Sequence, residues 1–213
     1  MLNYNFGIVC CLILFSCNQV NIDNDKQEQK KQESVLQNLN QTNEILKPLI
    51  TDINSEKKGI IGLFDVPEML CLSIIDSTEQ KYLSDKLGNN FAILENELKE
   101  IKSEIDGAPG VLYYNNNPNN FKFECVLLIK KMPNILPKKS KIIVLESSKM
   151  LIYNYFGPYQ NLSTAYDTIR LYLSNNKLFQ SGPMREFYIS DPMIEKNTNN
   201  WLTRIMVPVS STK

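Results

Sequence analysis

SGPMREFYISDP, residues 181–192, decides the fold because it repeats an earlier pattern. The earlier copy is GAPGVLYYNNNP, residues 107–118. Aligned without gaps, the second prolines of the two segments coincide and Tyr114 meets Tyr188. An Asn-rich loop and an aromatic-led strand follow each segment. Each half of the domain is therefore predicted to end in two strands joined by a loop.

The residues before these strands extend the repeat. Apolar residues at three- and four-residue spacing predict an amphipathic helix over 83–105, ending at the Gly107 breaker, and a second helix over 162–173. A strand-like segment precedes each helix, at 68–75 and 142–156. The unit is therefore strand, helix, strand, strand.

Two such β-α-β-β units, at about 59–137 and 138–213, predict an α+β domain. The strand-like segment before the second helix is expected to break in two around 146–148. The connections favour a largely antiparallel sheet, with the helices on one side and an open concave face on the other.

The chain begins with a segment typical of export. Its apolar run, from Phe6 to Phe15, is too short to span a bilayer, which needs roughly twenty residues. Residues 1–16 resemble a bacterial lipoprotein signal that ends before Cys17. The resemblance implies an acylated Cys17 that anchors the protein to a membrane of the bacterial cell envelope. The alternatives are a plain secretory signal and a short buried segment.

Residues 18–58 are rich in Asn, Gln, Lys, Asp and Glu and lack the apolar density of a core element. With Cys17 they predict an anchor and a polar tether over 17–58, with a partly helical stretch as the alternative. A coil of this length has an end-to-end distance of roughly 35 Å. Residues 59–213 are then a domain of ordinary size.

Composition excludes several function classes. The chain has no histidine, which removes Ser-His-Asp and Cys-His nucleophile systems, histidine-bound zinc and haem held by a proximal histidine. Lys and Arg number 23 and Asp and Glu number 23, so no electrostatic nucleic-acid footprint is expected. No glycine-rich phosphate loop is present. We therefore expect no cofactor, no metal and no nucleic-acid partner.

Four motifs of the second half occur in the order of a known family: YFGPY at 155–159, the GP that leads to EFY at 182–188, DP at 191–192 and VPV at 207–209. They resemble the GyrI-like effector-binding domain that stands behind DNA-binding helices in AraC-type and MerR-type multidrug regulators. The resemblance covers about 59–210. It implies two repeats about a pseudo-twofold axis and a cleft between them that binds small organic molecules, often aromatic and cationic.

The resemblance also implies that the glutamate of the Glu-x-Tyr strand, here Glu186, is the charge partner of the ligand. Side chains alternate along a strand, so Tyr188 shares the face of Glu186. An aromatic hollow with one partly desolvated carboxylate suits a cation. The alternative for Glu186 is a solvated glutamate on an open sheet face.

Further ligand-binding candidates follow from position. Trp201 opens the last strand and either stacks on a ligand or caps the core under the preceding loop. Tyr153 and Tyr155 share a face of the strand before the second helix. The gapless alignment puts Leu112 and Tyr114 in the places of Glu186 and Tyr188, so both are candidate cleft residues.

Other residues are assigned structural roles. Glu124 is predicted to be a solvent-facing strand residue, with a second acidic wall as the alternative. Tyr159 is assigned to the geometry of the helix start. Cys71 and Cys125 are expected to be buried thiols, with a disulfide between them left open.

Three functions remain open. The first is binding of small amphipathic molecules without chemistry. The second is hydrolysis of strained electrophilic rings, which some GyrI-like proteins carry out; Glu186 would then orient or deprotonate water and Tyr188 would bond the developing oxyanion. The third is an envelope interaction module that has lost its ligand, with a protein partner that the sequence does not name.

Overall fold

The computed structural model describes residues 59–212. In this range the chain forms two α-helices, α1 (Leu83–Glu100) and α2 (Leu162–Asn175), each preceded by a one-turn 3₁₀ helix. The strands of the same range are β1 (Ile61–Val66), β2 (Met69–Thr78), β3 (Gly110–Tyr113), β4 (Phe121–Leu128), β5 (Lys141–Leu145), β6 (Ser148–Phe156), β7 (Phe179–Gln180), β8 (Met184–Tyr188) and β9 (Leu202–Ser210). The signal and tether predicted over 1–58 lie outside the described residues. No helix within 59–212 has both the length and the hydrophobicity to cross a membrane.

The strands form one curled antiparallel sheet, a half-barrel, in the order β1-β6-β9-β8-β3-β4-β2-β5, with β7 paired to β9. The α+β class and the antiparallel sheet are thus confirmed. β3 and β8, one from each predicted repeat, lie side by side at the centre. The pseudo-twofold axis and the cleft between repeats stay predictions.

Both helices pack on the same side of the sheet. α1 buries Leu94 and Leu98 against the strands of the first half, and α2 buries Ala165 and Ile169 against β6 and β9. The other side of the sheet holds a third apolar cluster. Every strand of the sheet except β7 contributes a residue to it. The expectation of an open face on that side is therefore wrong. The curl of the sheet brings its strands together over that surface and buries it.

Helix α1 ends earlier than the apolar spacing predicts. Lys102 adopts the left-handed conformation, with φ of 53°, and the Ser103 N–H donates to the Leu98 carbonyl at 3.1 Å. This turn is a C-terminal cap usually made by glycine. The predicted helix over 83–105 is thus too long, and Ile105 forms an isolated bridge with Ile129 instead.

The predicted break around 146–148 is confirmed, since β5 ends at Leu145 and β6 begins at Ser148. The two strands then separate: β5 pairs with β2, whereas β6 pairs with β1 and β9. β1 is an additional strand that the repeat pattern does not predict.

The two cysteines of the domain are free and buried. Cys71 lies in the cluster on the side away from the helices, and Cys125 lies in the cluster under α1. Their partners across the β2–β4 pair are Leu128 and Ile74. Side chains on opposite faces of a sheet cannot meet the geometry of a disulfide, so the expectation of buried thiols is confirmed.

Candidate functional site

Glu186 lies at the centre of the sheet, on the side that the helices cover. Its neighbours across β3 and β9 are Val111 and Ile205, both fully buried. Only 1% of the Glu186 surface is exposed. A carboxylate this deep requires hydrogen-bond partners, because burying an ionised group without them is costly.

Three tyrosines surround the Glu186 carboxylate. The Tyr166 hydroxyl, carried by α2, donates to Oε1. The Tyr188 hydroxyl donates to Oε2 at 3.2 Å, and the Tyr113 hydroxyl lies 3.3 Å from that of Tyr188. The cluster therefore joins the central strands β3 and β8 to the helix above them.

The charge of this cluster has no ion-pair partner in the part of the chain that the structure describes. Among the ion pairs of residues 59–212, none includes Glu186. Burial raises the pKa of Glu186, although the hydrogen bonds from Tyr166, Tyr188 and Tyr113 oppose this shift. Burial also raises the pKa of all three tyrosines, and the nearby Glu186 charge raises it further, so they remain neutral donors.

An aromatic path leads from this cluster toward the surface. The Tyr159 ring meets the Tyr188 ring edge-on, with centroids 5.5 Å apart, and the Trp201 ring at 4.8 Å. The half-buried Trp201 also donates its indole N–H to the Glu195 carbonyl at 2.8 Å. Trp201 thus fixes the loop before β9 while one part of its ring remains exposed.

Tyr153 and Tyr155 share the helix side of β6, in the cluster under α2. Tyr155 is buried, and its hydroxyl donates to the Pro158 carbonyl at 3.3 Å. No hydrogen bond among the described residues joins either tyrosine to Glu186. Both therefore pack beside the Glu186 cluster rather than within it.

Leu112 and Tyr114 do not join Glu186. In the β3–β8 register Leu112 lies opposite Arg185, and Val111 lies opposite Glu186. Leu112 is buried in the cluster on the side away from the helices. Leu112 and Glu186 therefore face opposite sides of the sheet, so equal places in the gapless alignment do not correspond to equal places on one face.

Glu124 also differs from its predicted state. It pairs with Leu112 across β4 and β3 and is only 7% exposed, because the curl of the sheet covers this face. The Tyr114 hydroxyl donates to its Oε2 at 2.5 Å. Glu124 is thus a buried residue on the opposite face from Glu186, neither solvent-facing nor a wall of the same site.

Sequence reasoning missed Tyr113, Tyr159 and Tyr166 as site residues. Tyr166 belongs to the apolar stripe of the second helix, where a tyrosine is expected to serve as a core residue. The sequence signal for these residues was a tyrosine on a strand, Tyr113, and a tyrosine on a helix, Tyr166, that both face the side of Glu186. The pairing of β3 with β8 brings Tyr113 to the face of Glu186, and neither strand alone specifies that pairing.

The sequence profile of the GyrI-like small molecule binding domain matches residues 69–210. The chain belongs to this family. The recognition made from the motifs of the second half is thereby confirmed for the domain. No curated protein sequence matches the chain.

Solved structures share the fold at low identity. The C-terminal domain of EcmrR is 18% identical with a TM-score of 0.65, over 72% of this chain and 99% of that domain. SAV2435 bound to tetraphenylphosphonium is 15% identical with a TM-score of 0.52, over 71% of this chain and 94% of that protein. A hydrolase from Listeria innocua is 13% identical with a TM-score of 0.51, over 78% of this chain and 98% of the hydrolase. These similarities establish the GyrI-like fold.

Proposed function

We propose that this GyrI-like protein binds aromatic, cationic, amphipathic small molecules, with Glu186 as the charge partner. One observation carries the proposal: within residues 59–212, the hydrogen-bond partners of this buried carboxylate at the sheet centre are neutral tyrosine hydroxyls alone. A cation placed there supplies the missing charge.

Aromatic rings around the carboxylate favour the same class of ligand. Tyr113, Tyr159, Tyr166 and Tyr188 present ring faces and edges within one cluster. Ring faces attract cations, most strongly where water is excluded. A ligand that combines a delocalised positive charge with apolar groups would therefore use both the carboxylate and the rings.

Ligand entry requires a local opening, because Glu186 is enclosed. The ligand would reach it in the proposed cleft between the two pseudo-twofold related repeats, at the junction of β3 and β8. Tyr166 is the partner supplied by a helix rather than by the sheet, so displacement of this part of α2 would uncover Oε1. The hydroxyls then keep the carboxylate solvated in the closed state, and the ligand replaces them in the open state.

A related fold supports the ligand class. SAV2435 was solved with tetraphenylphosphonium, a lipophilic aromatic cation. That fact concerns SAV2435, and we extend it to this chain as part of the proposal, on the strength of the Glu186 cluster.

The proposal includes the cell envelope as the place of action. The lipoprotein-type signal over 1–16 supports a lipid anchor at Cys17, with 18–58 as the tether. Mass spectrometry of the protein from bacterial membranes should find an acylated amino-terminal Cys17, and Cys17→Ser should abolish the modification. An unmodified wild-type chain in the membrane fraction contradicts the anchor.

Hydrolysis of strained electrophilic rings is the second candidate. The observation that favours it is the 3.2 Å hydrogen bond between Tyr188 and Glu186, which brings a hydroxyl donor and a carboxylate base together. A raised pKa suits the carboxylate to general-base work. Product formation from an epoxide, absent in Glu186→Gln, would favour this role over binding alone.

The deciding experiment compares two ions of the same shape. Isothermal titration with tetraphenylphosphonium should show saturable binding, and the anion tetraphenylborate should not bind at the site. Glu186→Gln should weaken tetraphenylphosphonium binding about 30-fold or more, because it removes one member of a desolvated charge pair. Glu124→Gln, a buried glutamate on the other face, is the matched control and should bind normally. Equal binding by wild type and Glu186→Gln would refute the charge-partner role and favour an interaction module.

A further inference from the structure

The side of the sheet away from the helices contains a second polar cluster, formed by Arg185, Arg204 and Asn154. Arg185 is 6% exposed, Arg204 is 8% exposed and Asn154 is 1% exposed. Arg204 lies opposite Asn154 across β9 and β6, and opposite Phe187 across β9 and β8. The two arginines are thus diagonal neighbours on adjacent strands, roughly 7 to 8 Å apart at the backbone.

The orientation of Asn154 in this cluster is fixed by Arg204. The Arg204 Nε–H donates to Asn154 Oδ1 at 2.9 Å. A guanidinium group has only donors, so the amide must turn its oxygen toward Arg204 and its NH₂ group away. Asn154 therefore presents a donor to the rest of the cluster.

Four buried nitrogen atoms of this cluster have no hydrogen-bond partner within residues 59–212: Asn154 Nδ2, Arg204 Nη2, Arg185 Nε and Arg185 Nη1. All four are donors. Buried donors are normally satisfied, and four of them without an acceptor on one face of the adjacent strands β6, β9 and β8 call for an explanation. An acceptor of negative charge satisfies donors of this kind better than a neutral one.

The charges of the cluster also favour a negatively charged acceptor. No ion pair among the described residues includes Arg185 or Arg204. Glu124 lies on the same face, two strands from Arg185, and accepts from Tyr114. Two guanidinium charges and one carboxylate leave a single positive charge in excess. Burial lowers the pKa of both arginines, yet arginine keeps its proton in proteins.

We propose that Arg185, Arg204 and Asn154 form a second binding site, for a small carboxylate anion. A carboxylate has one charge, which matches the excess, and two oxygens in a plane, which suit the paired donors of a guanidinium group. The site is separate from that of the proposed function. Arg185 and Glu186 are consecutive in β8, so their side chains point to opposite faces of the sheet.

Acetate is the test ligand, and the full-length chain is the protein. Thermal unfolding is followed at pH 7 while sodium acetate replaces sodium chloride at constant ionic strength. The melting temperature should rise with the logarithm of acetate concentration above the dissociation constant. Glu186→Gln should show the same rise, which separates this site from the cation site.

Arginine variants locate the effect. Arg185→Met and Arg204→Met should each weaken acetate binding at least about tenfold, because each removes charged donors from the anion. Arg170→Met is the matched control, since Arg170 is an exposed arginine on α2, and it should keep the wild-type response.

A measurement on the wild-type protein guards against variants that fail to fold. In a ¹⁵N NMR titration, two arginine Nε–H signals should shift with acetate and saturate at one dissociation constant. Identical melting temperatures in acetate and chloride, together with unshifted Nε–H signals, would overturn the proposal and assign the donors to buried water. A response that survives in both methionine variants would also overturn it.

Discussion

Glu186 and Glu124 stand near the centre of the same sheet, both buried and both hydrogen-bonded by tyrosine, but they lie on opposite faces. The described hydrogen-bond partners of Glu186 are neutral tyrosine hydroxyls. Glu124 shares its face with Arg185. Leu112 lies between them, paired to Glu124 on one side and to Arg185 on the other. Burial and hydrogen bonding by tyrosine therefore do not distinguish the two residues. The closest structural difference is that Arg185 lies on the face of Glu124, whereas no ion pair among the described residues includes Glu186.

The sharpest comparison is between Glu186→Gln and Glu124→Gln. The first removes an unbalanced buried charge and should raise the free energy of unfolding at pH 7 by about 1 to 3 kcal/mol. The second removes a carboxylate that offsets Arg185 and should lower it by about 1 kcal/mol. Urea unfolding measures both. Changes of the same sign would show that the two sites are electrostatically alike.

The tyrosines give the next comparison. Tyr166→Phe removes a donor from a buried carboxylate that water does not reach, so it should destabilise the protein by about 1 to 3 kcal/mol. Tyr114 is 41% exposed, so water can replace its hydroxyl, and Tyr114→Phe should cost less than about 1 kcal/mol. Urea unfolding of the two variants decides the matter. Equal losses would contradict the difference in solvent access between the two faces.

The pH dependence of stability completes the comparison. Because the pKa of Glu186 is raised by folding, the folded state holds this proton more tightly than the unfolded state does. The resulting stability is fully present below the unfolded pKa, near about 4.3, and is lost as pH rises through the folded pKa. The free energy of unfolding of wild type, relative to Glu186→Gln, should therefore fall as pH rises above about 4.3. A flat difference across pH 4 to 9 would contradict the raised pKa.

The sequence predicts those features that depend on local periodicity. Strand alternation places Glu186 and Tyr188 on one face, and their side chains are hydrogen-bonded at 3.2 Å. The helix spacing predicts both helices, and the polar residues at 146–148 predict the break between β5 and β6. The family follows from four motifs in order, all within residues 155–209, and the matching profile confirms it over 69–210.

Features that depend on contacts between distant segments were not predictable from one sequence. Helix α1 ends because Lys102 takes a left-handed conformation that glycine usually provides, and no glycine marks this position. Leu112 takes the place of Glu186 in the gapless alignment but lies on the opposite face of the sheet, and an alignment of two short repeats does not determine the face of a strand residue. The burial of Glu124 follows from the curl of the sheet, which no single strand encodes.

Strand β1 is the first strand of the domain and lies at one end of the sheet, paired within the described range to β6 alone. Strands β8 and β3, in contrast, are held by neighbours on both sides. Tension applied to the amino-terminal side would therefore load the six residue pairs of β1 and β6 before any pair that carries Glu186. Under mechanical stretching, β1 would therefore separate from β6 first, while the strands in the middle of the sheet stay paired.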